Sequence, residues 1–265
     1  MLTAEQQAHF ATFGFIVLRQ AFSPAEMAAI SHEFDEVLTA DRQGRPFDGA
    51  KRQAVLGFIE KRPLLSHLVA DDRIYEPLEQ LLGPGFVWIG SDGNLYVGDT
   101  NWHPDGSNLG YGRIKVAFYL DPVSKETGSL RVIPGSHQPP LHEELKPLLE
   151  RRNDPDAAPF SLPGRELPCF PLESEPGDVV FFNQNLWHSA FGGRTGRRMF
   201  TMNVGAKPTE QSHVDFLHRV YQGNLKHVEQ MQYTQNARVY EDSFLYNDSP
   251  RIQSMVGKLV EWGFK

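Results

Sequence analysis

Two histidines and one aspartate are the side chains in this sequence best placed to do chemistry. His103 and Asp105 stand two apart in the run Asn101-Trp102-His103-Pro104-Asp105-Gly106, and His188 lies far downstream in Asn185-Leu186-Trp187-His188-Ser189. Two imidazoles and a carboxylate that leave other coordination positions open form the facial triad of non-haem Fe(II) oxygen chemistry. Residues two apart on a strand share a face. The spacing therefore predicts that His103 and Asp105 project together from one strand end, with Pro104 turned away. The vacant positions would serve a chelating co-substrate and dioxygen.

An H-x-D triplet alone is common, so its surroundings carry the argument. Glu175-Pro176-Gly177-Asp178 is a turn signal, and the strand it starts, Val179-Val180-Phe181-Phe182, leads towards His188. After His188 a second turn, Gly192-Gly193-Arg194-Thr195-Gly196, opens a strand bearing Arg197 and Arg198. A co-substrate with a free carboxylate needs a fixed cation, and arginine supplies one bidentately. Alternation puts Arg197, Met199, Thr201 and Asn203 on one face, which is polar enough for a cavity. Arg198, Phe200, Met202 and Val204 take the other face, which is apolar enough to pack on helices. Arg197 is thus the preferred carboxylate anchor and Arg198 the second choice.

The elements that must position these residues change character along the chain. The first part, about residues 1–83, reads mainly helical. Thr3-Ala4-Glu5-Gln6 and Ser23-Pro24-Ala25-Glu26 fit capping boxes, and an apolar strand, residues 14–18, lies between them. Met27, Ile30, Phe34, Val37 and Leu38 recur at helical spacing over about residues 24–39. Leu64 to Leu82 is helical as one stretch, or as two broken near Asp71-Asp72, and stops at Gly83-Pro84-Gly85. From residue 86 to about 206 the sequence turns to short β-branched or aromatic runs: 86–89, 95–97, 114–120, 130–133, 179–182 and 199–204. Turn residues separate them, as in a β-sandwich or barrel. A Pro- and charge-rich insertion spans about Gln138–Leu167, with a helical middle at Leu141–Leu149. A tail from about 208 to 265 is helical again, ending in a helix near Ile252–Trp262. The expected architecture is α+β and mainly β, with the whole of 1–265 as one domain.

The chain has 265 residues with a formal net charge of −7, which disfavours nucleic acid and anionic membranes as partners. Hydrophobic residues make up 40% and include 18 Phe, enough for a sizeable core. Cys169 is the one cysteine, so no intrachain disulfide forms and no oxidising compartment is required. No apolar run is long enough to span a bilayer, and the N-terminus lacks a signal-peptide pattern. A cytoplasmic protein acting on a small molecule is the default expectation; composition leaves the oligomeric state open.

Taken together, these segments resemble the phytanoyl-CoA dioxygenase-like family of Fe(II)/2-oxoglutarate oxygenases. The resemblance rests on Trp102-His103-Pro104-Asp105, Val116–Pro122, Thr127–His137 with its Ile133-Pro134-Gly135-Ser136-His137, Pro176–Phe182, and His188-Ser189 with the arginines after it, in that order. Phe13–Leu18 is similar to the family's opening strand. The resemblance implies a double-stranded β-helix (jelly-roll) core and Fe(II) held by His103, Asp105 and His188. It implies 2-oxoglutarate on the iron, its far carboxylate on Arg197 or Arg198, and O2 as oxidant. Succinate and CO2 would be released as a substrate C–H is hydroxylated. Retention of Asp105 favours hydroxylation over halogenation, since related halogenases have a small residue there. His137 resembles a structural turn of the family and not a ligand.

Around this triad, Asn94 and Tyr96 are candidates for the co-substrate pocket. Trp102 and Trp187, each beside a candidate ligand, and Lys115 and Tyr119 are candidates for contact with substrate. Two other readings remain: a cupin-type metal enzyme that does not use 2-oxoglutarate, and a non-catalytic binding module on the same fold. A buried arginine near His188 separates the first of these from the oxygenase, and an intact triad argues against the second.

Overall fold

A computed structural model describes residues 1–106, 108–150, 158–231 and 238–265. Among the described residues, ten strands form two antiparallel sheets. The major sheet has the order β1 (Phe15–Leu18), β8 (Val179–Asn183), β5 (Arg113–Tyr119), β10 (Arg197–Gly205), β3 (Val87–Tyr96) and β2 (Gln53–Leu56). The minor sheet has the order β4 (Thr100–His103), β9 (His188–Ala190), β6 (Leu130–Val132) and β7 (Phe170–Leu172). The non-sequential orders bring remote segments side by side. The fold is a jelly-roll core of two antiparallel sheets with flanking helices.

The helices begin where local chemistry starts them. Thr3 accepts from the Gln6 N–H while the Gln6 side chain accepts from the Thr3 N–H, closing the capping box of α1 (Ala4–Phe13). Ser23 and Glu26 do the same for α2 (Pro24–Asp41), whose Pro24 sits where a missing N–H costs nothing. The Leu64–Leu82 stretch is two helices, α3 (Pro63–Leu68) and α4 (Asp72–Leu82), and Asp71 caps the second by accepting from the Arg73 N–H at 2.9 Å. Among its described residues the insertion holds two single α-helical turns, α5 (Leu141–Glu144) and α6 (Pro147–Glu150), and a 3-10 turn, Gly164–Glu166; its residues 151–157 lie outside the described residues. The tail forms α7 (Gln211–Met231), α8 (Asp242–Leu245) and α9 (Pro250–Glu261).

The outer face of the major sheet carries the larger core. Phe118 and Phe200, neighbours on β5 and β10, stack with centroids 4.7 Å apart, and Phe34, Phe58, Met202 and Val204 join them under the helices. The inner face meets the minor sheet in a second cluster of Phe15, Ala117, Leu130, Val132, Val180, Phe182 and Met199. That cluster closes one end of the space between the sheets.

Two sequence expectations need correction. The runs 86–89 and 95–97 are one ten-residue strand, β3, lying between β10 and β2. Its Gly93 is not a turn residue: a Cβ there would overlap the Phe58 ring, so the glycine permits close packing. Strands β2 and β7 were not expected. Each is an edge strand of three or four residues, and β7 contains Pro171, an edge-strand residue because it lacks an N–H.

Candidate active site

His103 and His188 meet because β4 and β9 pair antiparallel with these two residues directly opposite each other. Their ring centroids are 4.4 Å apart. Each Nδ1 lies on the carbonyl two residues upstream, His103 on Asn101 at 2.7 Å and His188 on Leu186 at 2.8 Å. A carbonyl only accepts, so the proton sits on Nδ1 and the Nε2 lone pair is free. Asp105 lies just past the end of β4, in a loop tied down by Gly106 N–H donating to the Gln184 carbonyl at 3.0 Å. Its Oδ1 is 3.6 Å from His103 Nε2 and its Oδ2 is 3.5 Å from His188 Nε2. All three candidate donor atoms lie within 4.8 Å of one another. Ligand atoms ~2.1 Å from one octahedral ion lie ~3 Å apart across adjacent positions. The donor set and its spacing therefore fit a divalent ion such as Fe(II).

Electrostatics favour the ligand forms of these groups. Burial pushes His188 down to about 3, against the pull of Asp105, so its imidazole is neutral at physiological pH. Burial alone would raise the Asp105 carboxyl, but Lys115 and the two histidines more than offset it and hold the group well below the usual carboxylate range. Lys115 Nζ sits 2.6 Å from Asp105 Oδ2. Burial works against its charge, yet Asp105 and Asp92 hold its pKa above the ordinary lysine value.

The triad opens into a cavity of about 180 Å³ between the sheets, lined also by Arg52, Asp92, Tyr96, Lys115, Tyr119, Arg197 and Thr201. Arg197 is only 2% exposed, and among the described residues its Nε and Nη1 have no hydrogen-bond partner. Its guanidinium lies 5.1 Å from the Tyr96 ring centroid, and that of Arg52 lies 4.4 Å from the same centroid. The space for it comes from glycines: a Cβ on Gly128 or on Gly193 would overlap its Nη1. Arg198 points the other way. It donates to Asp121 Oδ1 at 2.8 Å and Asp35 Oδ2 at 3.0 Å on the outside of the sheet.

The remaining expected residues divide. Tyr96, Lys115 and Tyr119 line the cavity. Asn94 is buried behind its wall, where Oδ1 accepts from Arg52 Nε at 2.8 Å and Nδ2 donates to Asp92. Trp102 and Trp187 do not line it: they pack with Leu145, Leu148, Leu167 and Phe191 beneath the insertion, on the far side of the minor sheet. Their indole N–H groups donate to the carbonyls of Gly164 and His142. Alternation required this, because each tryptophan precedes a histidine that faces the cavity. His137 is buried against Gly14, away from the triad. Sequence reasoning missed Arg52 and Asp92, while Thr201 lies on the cavity face that alternation gave it with Arg197. Asp92 and Thr201 share faces with Tyr96 and Arg197, so alternation on an uninterrupted β3 was the available signal for Asp92. Arg52 precedes an unrecognised strand and gave none.

A jelly roll that encloses two histidines, a carboxylate and a buried arginine has the architecture of the Fe(II)/2-oxoglutarate oxygenases. The chain belongs to the phytanoyl-CoA dioxygenase (PhyH) family, which it matches over residues 10–200. A curated relative, the ectoine dioxygenase of Bordetella parapertussis, is 23% identical over 218 residues, covering 71% of this chain and 70% of that protein. The crystal structure of EctD from S. alaskensis with 2-oxoglutarate and 5-hydroxyectoine is similar with a TM-score of 0.58 and 23% identity, covering 77% of this chain and 76% of that one. HygX from Streptomyces hygroscopicus, solved with nickel and 2-oxoglutarate bound, gives 0.57 at 21% identity, covering 77% of this chain and 87% of that one. Among the described residues, no helix is long and apolar enough to cross a membrane.

Proposed function

We propose that this protein is an Fe(II)- and 2-oxoglutarate-dependent dioxygenase that hydroxylates a C–H bond of a small metabolite. The observation that carries the reading is the pairing, in one cavity, of three metal-type donors within 4.8 Å with a buried arginine that, among the described residues, lacks partners for two N–H groups. Membership of the PhyH family and the iron- and 2-oxoglutarate-bound relatives support it. His103, Asp105 and His188 would hold the iron, and Arg197 would pair with the far carboxylate of 2-oxoglutarate. The iron so held supplies oxidation by O2 coupled to conversion of 2-oxoglutarate to succinate and CO2.

The chain's own residues do the positioning. The backbone carbonyls of Asn101 and Leu186 orient the two imidazoles. Tyr96 and Tyr119, both lifted above the ordinary tyrosine value by burial, stay neutral as cavity walls. Phe182, edge-on to His188 at 5.1 Å, and Leu130 keep water from the closed end. The major sheet draws strands from residue 15 to residue 205, and α9 packs against β3, which supports reading the chain as one catalytic unit.

Anaerobic addition of Fe(II) and 2-oxoglutarate should produce the weak visible charge-transfer band of the chelate, and His188→Ala should abolish both the band and succinate release. A wild type without the band at saturating concentrations, or turnover retained in the variant, would refute the assignment.

A further inference from the structure

A second chamber of about 320 Å³ adjoins the triad cavity. Asp105, Lys115, Arg52 and Asp92 line both spaces, so two ion pairs form the partition: Lys115–Asp105 at 2.6 Å and Arg52–Asp92 at 3.7 Å. His103, His188 and Arg197 face only the first space. Arg113, Gln184, Asn203 and Asn224 face only the second, which lies between the inner end of the major sheet and α7.

Charge is unbalanced in this chamber. Among the described residues lining it, Arg52, Arg113 and Lys115 oppose Asp92 and Asp105. The partition pairs consume two of the cations, and Arg113 is left over. Arg113 is only 4% exposed, and among the described residues its Nε and Nη2 have no hydrogen-bond partner. Its guanidinium lies 4.7 Å from the Phe216 ring centroid of α7, which holds the plane in place without satisfying its N–H groups. A buried, fixed and unpaired guanidinium costs free energy unless a planar anion pairs with it. Next to it, Gln184 Nε2 donates to Asn203 Oδ1 at 3.0 Å, and Leu56, Ile89, Val220 and Val239 supply apolar wall. The volume lies at the lower end for small-molecule sites.

We propose that this chamber is the prime-substrate site and that the substrate is a small molecule whose carboxylate pairs with Arg113. Its reacting carbon then lies towards the Asp105–Lys115 partition, beside the triad. The proposal rests on the oxygenase reading given above and deepens it by naming a substrate class.

The test uses three matched pairs of probes: acetate and acetamide, benzoate and benzamide, N-acetylglycine and N-acetylglycinamide. Binding is measured by calorimetry in an Arg197→Gln background, which removes the guanidinium of the first cavity. Charge-assisted hydrogen bonds set the expected preference: each carboxylate binds about tenfold or more tightly than its amide. Adding Arg113→Gln abolishes the preference, and Arg113→Lys keeps part of it. Adding Asn224→Trp, which fills the chamber from α7 and leaves every guanidinium in place, also abolishes it. Equal binding of acids and amides, or a preference that survives both Arg113→Gln and Asn224→Trp, would overturn the proposal. A wild type that gives the Fe(II)/2-oxoglutarate band, with no carboxylate preference in the Arg197→Gln background, sinks this inference alone. Loss of the band with the preference intact removes the oxygenase reading and with it the substrate role assigned to the anion.

Discussion

Arg197 and Arg198 are adjacent, yet the structure gives them opposite environments. Arg198 is held by Asp121 and Asp35, and Asp121 holds its charge firmly. Arg197 is buried, with Nε and Nη1 unpaired among the described residues. Leaving buried donors unmade costs roughly 1–3 kcal/mol each, a burden that a bound carboxylate would relieve. Arg197→Gln should therefore raise the apparent KM for 2-oxoglutarate by about tenfold or more, consistent with losing a charge-assisted pair. Arg198→Gln should leave that KM within about twofold and lower stability by about 1 kcal/mol or less, the scale of a partly exposed ion pair. Succinate release against 2-oxoglutarate concentration reads the first effect and chemical denaturation the second; the reverse ranking of KM would exchange the two roles.

Among the elements, the turn between β9 and β10 sets the anchor's position. Gly193 and Gly128 leave the slot that the Arg197 guanidinium fills. Gly193→Ala should displace that guanidinium and raise the KM for 2-oxoglutarate while leaving the Fe(II) affinity of the triad unchanged, which metal titration checks. Gly257→Ala in α9 is the control: a Cβ there meets nothing within 4 Å. It should stabilise the protein by about 0.5–1 kcal/mol through helix propensity and leave KM as it was. Equal KM effects from both substitutions would show that the slot has no part in holding the arginine.

For the molecule as a whole, one buried carboxyl ties the C-terminal tail to the major sheet. Glu60 accepts from Trp88 Nε1 at 2.9 Å and from the Glu241 N–H at 2.8 Å, and burial raises its pKa from 4.5 to about 7. Between those two values the unfolded chain has released this proton and the folded chain still holds it. Stability therefore falls as pH rises through that window, by on the order of 3 kcal/mol in total. Asp71, Asp121 and Asp178 are shifted down instead, so what they contribute is lost only as pH falls through the acid range. Glu60→Gln should flatten the pH 4.5–7 slope measured by denaturation, and an unchanged slope would rule the carboxyl out as its source. Metal acts on the same global equilibrium. At a hundred times its Kd, a divalent ion at the triad should stabilise by about 2.7 kcal/mol, a rise in Tm of several degrees, and His188→Ala should remove that rise.

The sequence by itself carried the ligand types, the alternation that separates Arg197 from Arg198, the capping boxes of α1 and α2, and the change from helical to strand periodicity near residue 86. These are local signals, set by bonds and side chains a few residues apart. It could not show that β3 runs through Gly90 and Gly93, because a glycine that admits a neighbouring ring reads the same as one that makes a turn. Nor could it show that Trp102 and Trp187 pack away from the cavity, that Arg52 reaches Asp92, or that Arg113, buried under α7, has N–H groups without a partner among the described residues. Those facts depend on which strands become neighbours. Register placed His103 opposite His188 across 85 residues of chain, and only the closed pair of sheets decided which charges found protein partners and which face the cavities.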